Sequence, residues 1–248
     1  MIDHEVRVLF AKEWRQLVAS KAAIATGAFL PIFMLGLIPT LLATASRTPP
    51  HGRPPPPSMQ FGLLGDMTQE PRHLAGAMLP LFVAVVGMVL PTMMASYLLI
   101  SERERRTLEL LVALPVRIEQ VMVAKLLATL AAASLMSVPL LLLDVLVLPA
   151  MGAASIEQVA GLPVLLVAGL ALSTSIALLM SLLAKDFRTA NNIGGAMLAP
   201  TIIVTLVGSV LLPGGVVRPL CIAVVYGVAA ALVMRHALRT VTFERLLS

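Results

Sequence analysis

Six charged side chains fall within nine residues at Glu102, Arg103, Glu104, Arg105, Arg106 and Glu109, between two long apolar stretches. Ser101 and Glu104 have the S-x-x-E spacing of a capping box, in which each side chain satisfies a free N–H at a helix start. Glu102 with Arg106, and Arg105 with Glu109, stand at i,i+4, where opposite charges support a helix. Leu108, Leu111 and Val112 share a face, and Pro115 disfavours a helical Leu114, so a short amphipathic helix is expected to end there. A second helix start is expected at Val116, running through Arg117, Glu119 and Lys125. An ordered, mixed-charge helix at the water line suits a protein–protein grip; the plainer alternative is a polar loop carrying retained positive charge.

Asp144 is the other chemically pointed residue, the only acidic side chain well inside an apolar span. An intramembrane carboxylate is a functional candidate by default, here for a cationic substrate or an ion, with snorkelling to the nearby outer interface as the alternative. Ser173, Thr174 and Ser175 could line a polar path, although hydroxyls also bond back to their own helix. Pro91, with Pro80 and Gly87, interrupts the second span, as a bend beside a transport pathway or as a packing kink. No catalytic set and no metal-ligating cluster is expected: H-E-x-x-H and G-x-S-x-G are absent, and Asp144 has no second intramembrane carboxylate to pair with.

These residues sit in a membrane scaffold. The 248-residue chain is 58% hydrophobic and only 12% charged, with mean hydropathy +0.95, which makes it a polytopic all-α membrane protein. Six transmembrane helices are expected, near Ala22–Ala43, Leu74–Ile100, Val121–Leu148, Val159–Ala184, Ile193–Leu212 and Val216–Met234. The last two are separated by Pro213, Gly214 and Gly215 alone, and a re-entrant pair is the alternative there. The expected organisation is an N-terminal interfacial helix over residues 1–21, a transmembrane domain over 22–234 and a cytoplasmic tail over 235–248. An outer loop over 44–73 and a cytoplasmic segment over 101–120 lie within that domain. The outer loop carries Pro49, Pro50 and Pro54 to Pro57, a composition for an extended tether.

Fourteen of the 18 Lys and Arg residues fall on one side of this topology: Arg7, Lys12, Arg15 and Lys21; Arg103, Arg105, Arg106, Arg117 and Lys125; Lys185 and Arg188; Arg235, Arg239 and Arg245. Arg47, Arg53, Arg72 and Arg218 fall on the other. Both termini and the charged segment are therefore expected in the cytoplasm. The net charge of +5 then serves anionic lipid, and no nucleic acid is implied. No cleaved leader is expected, the first span serving as its own signal, and the single Cys221 offers no disulfide.

At the N-terminus, Val6, Leu9, Phe10, Glu13, Leu17 and Val18 approach helical spacing, with Trp14 expected at headgroup level. Small residues recur every fourth position at Ala124, Ala128 and Ala132; at Gly169, Ser173, Ala177 and Ser181; and at Ala223, Gly227 and Ala231. Such stripes let helices approach closely.

The run E-R-E-R-R-T-L-E-L-L-V-A-L-P-V from Glu102, followed by Lys125, resembles the E-x-E-x-x-T-L-E-L-L-L-x-x-P-[VI] motif of ABC-2 type transporter permeases. The strong match covers about a tenth of the chain and departs at Arg106, where the family often has glycine. The resemblance implies a membrane subunit of an ABC exporter whose segment between spans two and three meets a separate ATPase. It places Glu102, Glu104, Arg105, Thr107, Leu108, Glu109, Leu111 and Pro115 in that coupling role, and a comparable helix precedes the first span in the family. It also implies a second permease copy or similar chain as partner, and a location in the cytoplasmic (inner) membrane of a prokaryote. ATP and Mg are expected in the partner ATPase and no cofactor in this chain, which has no G-x-x-x-x-G-K-[ST] phosphate loop.

With aromatics at 4% and fourteen methionines, the expected cargo is hydrophobic or amphipathic. Pro91, Asp144, Ser173 and Thr174 are the expected pathway residues. An ion-coupled secondary transporter, which calls for repeated halves that the sequence does not display, and a haem-export type membrane subunit are the alternatives.

Overall fold

A computed structural model describes residues 4–45, 71–104, 118–183 and 187–240. The described residues are helical throughout, apart from short turns. The elements are α1 (His4–Ala19), α2 (Lys21–Pro31), a π-helical segment (Ile32–Leu37), α3 (Ile38–Ala45), α4 (Pro71–Glu104), α5 (Ile118–Ala150), α6 (Ile156–Ala160), α7 (Leu162–Leu183), α8 (Phe187–Leu211) and α9 (Val217–Thr240).

Five helical stretches are long and apolar enough to cross a membrane: Gly27–Thr44, Gly76–Ala95, Val123–Ala150, Ile156–Ala177 and Val217–Ala237. They correspond to the first, second, third, fourth and sixth expected spans. The fifth falls on α8, a 25-residue helix whose described apolar part is the shorter Leu198–Leu211. The difference matters for topology, because an odd number of crossings puts the termini on opposite sides and an even number on the same side.

The first span is continuous in direction but changes winding after Pro31. Ile38 donates its N–H to the Phe33 carbonyl, five residues back. This widened turn comes immediately before Pro39, which has no N–H to offer the ladder. Thr40 then donates its hydroxyl to the carbonyls of Gly36 (2.7 Å) and Leu37 (3.0 Å). A side chain thus serves carbonyls in a medium without water.

α4 and α7 form the hub, with two thirds of each spanning window buried. α9 lies along α7, α8 lies mainly along α4, and α5 together with the first span covers other faces of the hub. Gly87 of α4 and Gly169 of α7 make the crossing. A Cβ on Gly87 would stand 3.3 Å from the Gly169 Cα, and one on Gly169 would stand 3.4 Å from the Gly87 Cα, so backbone meets backbone. Absence of side chains at both positions lets dispersion contacts between main chains replace the hydrophobic drive that lipid removes.

The expected four-residue stripes are partly realised. Ala124, Ala128 and Ala132 are buried on α5, and Gly169, Ser173 and Ala177 face the hub on α7. The stripe on α9 is corrected. Ala223 is buried, but Gly227 faces open space and Ala231 is exposed. The packed face there is carried by Ile222, Tyr226, Ala230 and Ala237, because α9 is rotated to bring its one tyrosine inward.

The connection between the third and fourth spans is more built than its length suggests. Ser155 accepts from the Gln158 N–H at 3.2 Å and donates its own N–H to Gln158 Oε1 at 2.9 Å, a capping box that starts the one-turn α6. Gln158 and Ala154 pack against Gly76 near the start of α4, while Gly161 packs against Pro219 of α9. Gly152 turns the chain there with φ +69°, a conformation that glycine adopts without penalty.

Candidate functional site

The charged segment begins as part of α4. The helix runs without interruption from Pro71 through Ser101 and Glu102 to Glu104, 34 residues, or about 50 Å at 1.5 Å per residue. Ser101 is therefore inside a helix rather than at its start, and the expected capping box is corrected. A cap requires a non-helical residue at the N-cap, and the apolar helix arriving from Ile100 already supplies Ser101 with an upstream turn. Arg105, Thr107, Leu108, Glu109, Leu111 and Pro115 lie outside the described residues, as does the expected start at Val116. α5 is helical from Ile118.

α1 packs against α5. Val6, Glu13 and Leu17, at spacings of seven and four, are buried on its inner face, and Phe10 and Trp14 are partly buried against the core. The rings of Phe10 and Trp14 stack at 6.2 Å. Val18, expected on the same apolar face, is exposed, because the packed stripe is centred on Glu13 rather than on the helix's bulkier residues. Glu13 is 1% exposed and lies 3.4 Å from the Lys12 ammonium. The helix that opens the chain thus braces the helix that leaves the charged segment.

Among the expected pathway residues, Ser173 donates its hydroxyl to the Met88 carbonyl at 2.5 Å, tying α7 to α4 one residue beyond the glycine crossing. Thr174 donates within its own helix, with the Leu170 carbonyl 2.8 Å and the Ala171 carbonyl 3.0 Å away. Ser175 does the same to Ala171, at 2.8 Å. Pro91 is buried in α4, and Thr92 beside it bonds back to the Met88 and Val89 carbonyls. Asp144 is fully buried on α5, in line with Ser137, Leu141 and Leu148, and neither of its carboxyl oxygens has a hydrogen-bond partner. Structure thus separates these four: Ser173 and Thr174 use their protons on backbone, while Asp144 uses neither oxygen.

A second polar site had no counterpart in the sequence reading. Thr201, Thr205 and Ser209 are buried at four-residue intervals along α8. Thr205 donates to the Thr201 carbonyl at 2.8 Å, the Tyr226 hydroxyl of α9 donates to the same carbonyl at 3.0 Å, and the two hydroxyl oxygens are 2.6 Å apart. Ser209 Oγ, one turn further, has no partner. The T-x-x-x-T-x-x-x-S spacing is visible in the sequence and is the same periodicity as the glycine stripe, but nothing local pairs it with Tyr226. Arg218, at the start of α9, is also buried. Among the described residues no group of three or more His, Cys, Asp or Glu side chains could hold a metal.

Helices of spanning length packed through small residues and internally satisfied hydroxyls define a multi-pass membrane protein. A family model described as ABC-2 family transporter protein matches residues 53–218, two thirds of the chain. The chain belongs to that family: it is an ABC-2 type transporter permease, a membrane subunit of a family that works with an ABC ATPase and is generally not itself catalytic. No curated protein and no solved structure matches it.

Proposed function

We propose that this chain is the permease subunit of an ABC exporter in the cytoplasmic (inner) membrane of a prokaryote. It forms half of the substrate pathway with a second copy or a similar chain. The observation that supports this most is the continuity of α4, a single helix that carries the charge-rich residues Glu102 and Glu104 and also crosses α7 at Gly87. Displacement of the charged end by an ATPase is passed along this helix toward the crossing, with Pro80 and Pro91, which lack an N–H, as the places where its ladder can bend.

In this reading α8 counts as a crossing. Its 25 residues extend about 37 Å, more than the roughly 30 Å hydrocarbon core. Six crossings place both termini in the cytoplasm, in agreement with the bias of the basic residues. The segment over 101–120 is then the coupling segment. Glu102, Glu104, Arg105 and Glu109 meet the ATPase, and Leu108 and Leu111, with Thr107 and Pro115, hold the segment against the permease. α1 supports the arrangement by packing on α5, the helix that leaves this segment. ATP and Mg bind in the ATPase, and its nucleotide states shift the permease between inward- and outward-facing forms only through contacts that differ between them. The cargo is hydrophobic or amphipathic, in keeping with an aliphatic, methionine-rich and aromatic-poor chain.

Purification of the tagged chain in mild detergent tests the reading. A stoichiometric phosphate-loop ATPase is expected to accompany the native chain. A homo-oligomer that retains no ATPase under conditions that preserve a known ABC complex contradicts it.

A further inference from the structure

Asp144 lies six residues before the end of α5, about 9 Å below its outer terminus at a rise of 1.5 Å per residue. Its side chain is fully buried, and both oxygens are without partners. Leu140, one turn earlier, is level with Gly36 of the first span, in ordinary contact distance of it. Asp144 is thus at the level of Thr40, whose hydroxyl is already given to the Gly36 and Leu37 carbonyls. Ser137, two turns below on the same face, donates to Ala133.

The charged residues on the helices that pack against α5 can be named. α1, α2, the π segment, α3, α4, α6 and α7 pack against α5. α7 carries no charged residue, the first span carries none after Lys21, and α4 carries none between His73 and Ser101. The side chains of Arg72 and His73, in the first turn of α4, and of Tyr97, toward its other end, lie outside the described residues, and Glu157 of α6 is exposed. His4, Glu5, Arg7, Lys12, Glu13 and Arg15 of α1 lie at the opposite end of α5. The only cation on α5 itself is Lys125, 19 residues from Asp144 and about 28 Å away along the helix. Arg218 is on α9, which packs along α7 and α8.

A carboxyl group whose two buried oxygens find neither a donor nor a counter-charge among the described residues is neutralised by something other than those residues. We infer that Asp144 is a binding site for a single small cation, and that the cation is a proton. Among the described residues no group of three His, Cys, Asp or Glu side chains could hold a metal ion, whereas a proton needs one oxygen. The position near the outer end of α5 makes the outer aqueous phase its source, so the conformational cycle of the permease takes up and releases a proton at Asp144. This rests on the chain being a permease that changes conformation, but the site itself can be read without the ATPase.

The test is labelling of the full-length chain in lipid nanodiscs with dicyclohexylcarbodiimide, an apolar reagent that adds to protonated carboxyl groups. The acid proton goes to a carbodiimide nitrogen and the carboxyl oxygen to the central carbon, so the adduct keeps the full mass of the reagent. Peptide mass spectrometry is expected to place the adduct on Asp144 and to find none there in Asp144→Asn. Its rate of formation falls by roughly tenfold per pH unit on the alkaline side of the transition, as loss of one bound proton requires, and is the same in sodium and choline chloride. Suppression by sodium at constant pH overturns the assignment to a proton. No adduct on Asp144, or a rate independent of pH, overturns the site. Absence of an ATPase partner in purification leaves each of these outcomes legible.

Discussion

At the α4–α7 crossing and at Asp144 the same bundle treats polar groups in opposite ways. At the crossing, two glycines bring main chains into contact and the nearby Ser173 hydroxyl is spent on the Met88 carbonyl. Asp144 is fully buried as well, yet its two carboxyl oxygens are left with no partner. A membrane interior penalises the second arrangement far more than the first. At the crossing the polar group is absorbed into the architecture, whereas Asp144 is left without a partner, as the proposed proton site requires.

Substitutions that treat the two regions alike in size but differently in chemistry sharpen this contrast. The largest effect is expected from Gly169→Val. The new side chain meets the Gly87 backbone, which cannot move aside as a flexible side chain could, so the hub must separate. Overpacking of this kind costs about 1–3 kcal/mol or more, seen as loss of the monodisperse peak in detergent or a markedly lower melting temperature. Gly227→Val is its control, since nothing lies within 4 Å of a Cβ at that position. A comparable loss from both variants would show that the crossing has no special status.

Smaller effects are expected where a buried hydroxyl is removed. Ser173→Ala loses the bond to Met88 and Tyr226→Phe loses the bond to Thr201, and each is expected to cost roughly 0.5–1.5 kcal/mol, in the range of interhelical hydrogen bonds in membranes. Thermal unfolding of the purified variants measures this. Smallest of all is Asp144→Asn. The replacement keeps shape and breaks no bond, so a change within about 0.5 kcal/mol is expected. A loss as large as that of Ser173→Ala would mean that the carboxyl group is a structural member of the bundle, and the contrast between the two regions would vanish.

The sequence was most legible where a single helix carries its own signal. Hydropathy located five stretches that are long and apolar enough to span, the expected fifth span on α8 showing only the shorter Leu198–Leu211, and the four-residue recurrence of Gly169, Ser173 and Ala177 marked the face of α7 that meets α4. It was less legible where two elements decide together. The S-x-x-E spacing at Ser101 is the same whether a helix starts there or passes through, and only the preceding apolar helix settles that it passes through. The stripe at Ala223, Gly227 and Ala231 has the right spacing but faces away from the bundle, because the rotation of α9 is set by Tyr226 reaching Thr205. The π segment follows Pro31, yet a proline alone does not specify whether the ladder kinks or widens. Asp144 was conspicuous in the sequence, but that no neighbouring helix answers it is a property of the packing. The motif that ties the chain to its family, and the family match over residues 53–218, complement each other: the motif points to a role for a short segment, and the match covers most of the helices that the segment would move.

The central claim is that the charged end of α4 transmits the work of a separate ATPase to the helix bundle. Its most direct measurement is ATP hydrolysis and cargo movement in proteoliposomes containing the purified complex, comparing the native chain with Glu104→Ala/Glu109→Ala at equal incorporation. The account predicts that the variant inserts and folds normally, while cargo movement per ATP hydrolysed falls at least about tenfold, corresponding to roughly 1.4 kcal/mol or more of lost coupling. Unchanged transport per ATP in a variant lacking both carboxylates would contradict it.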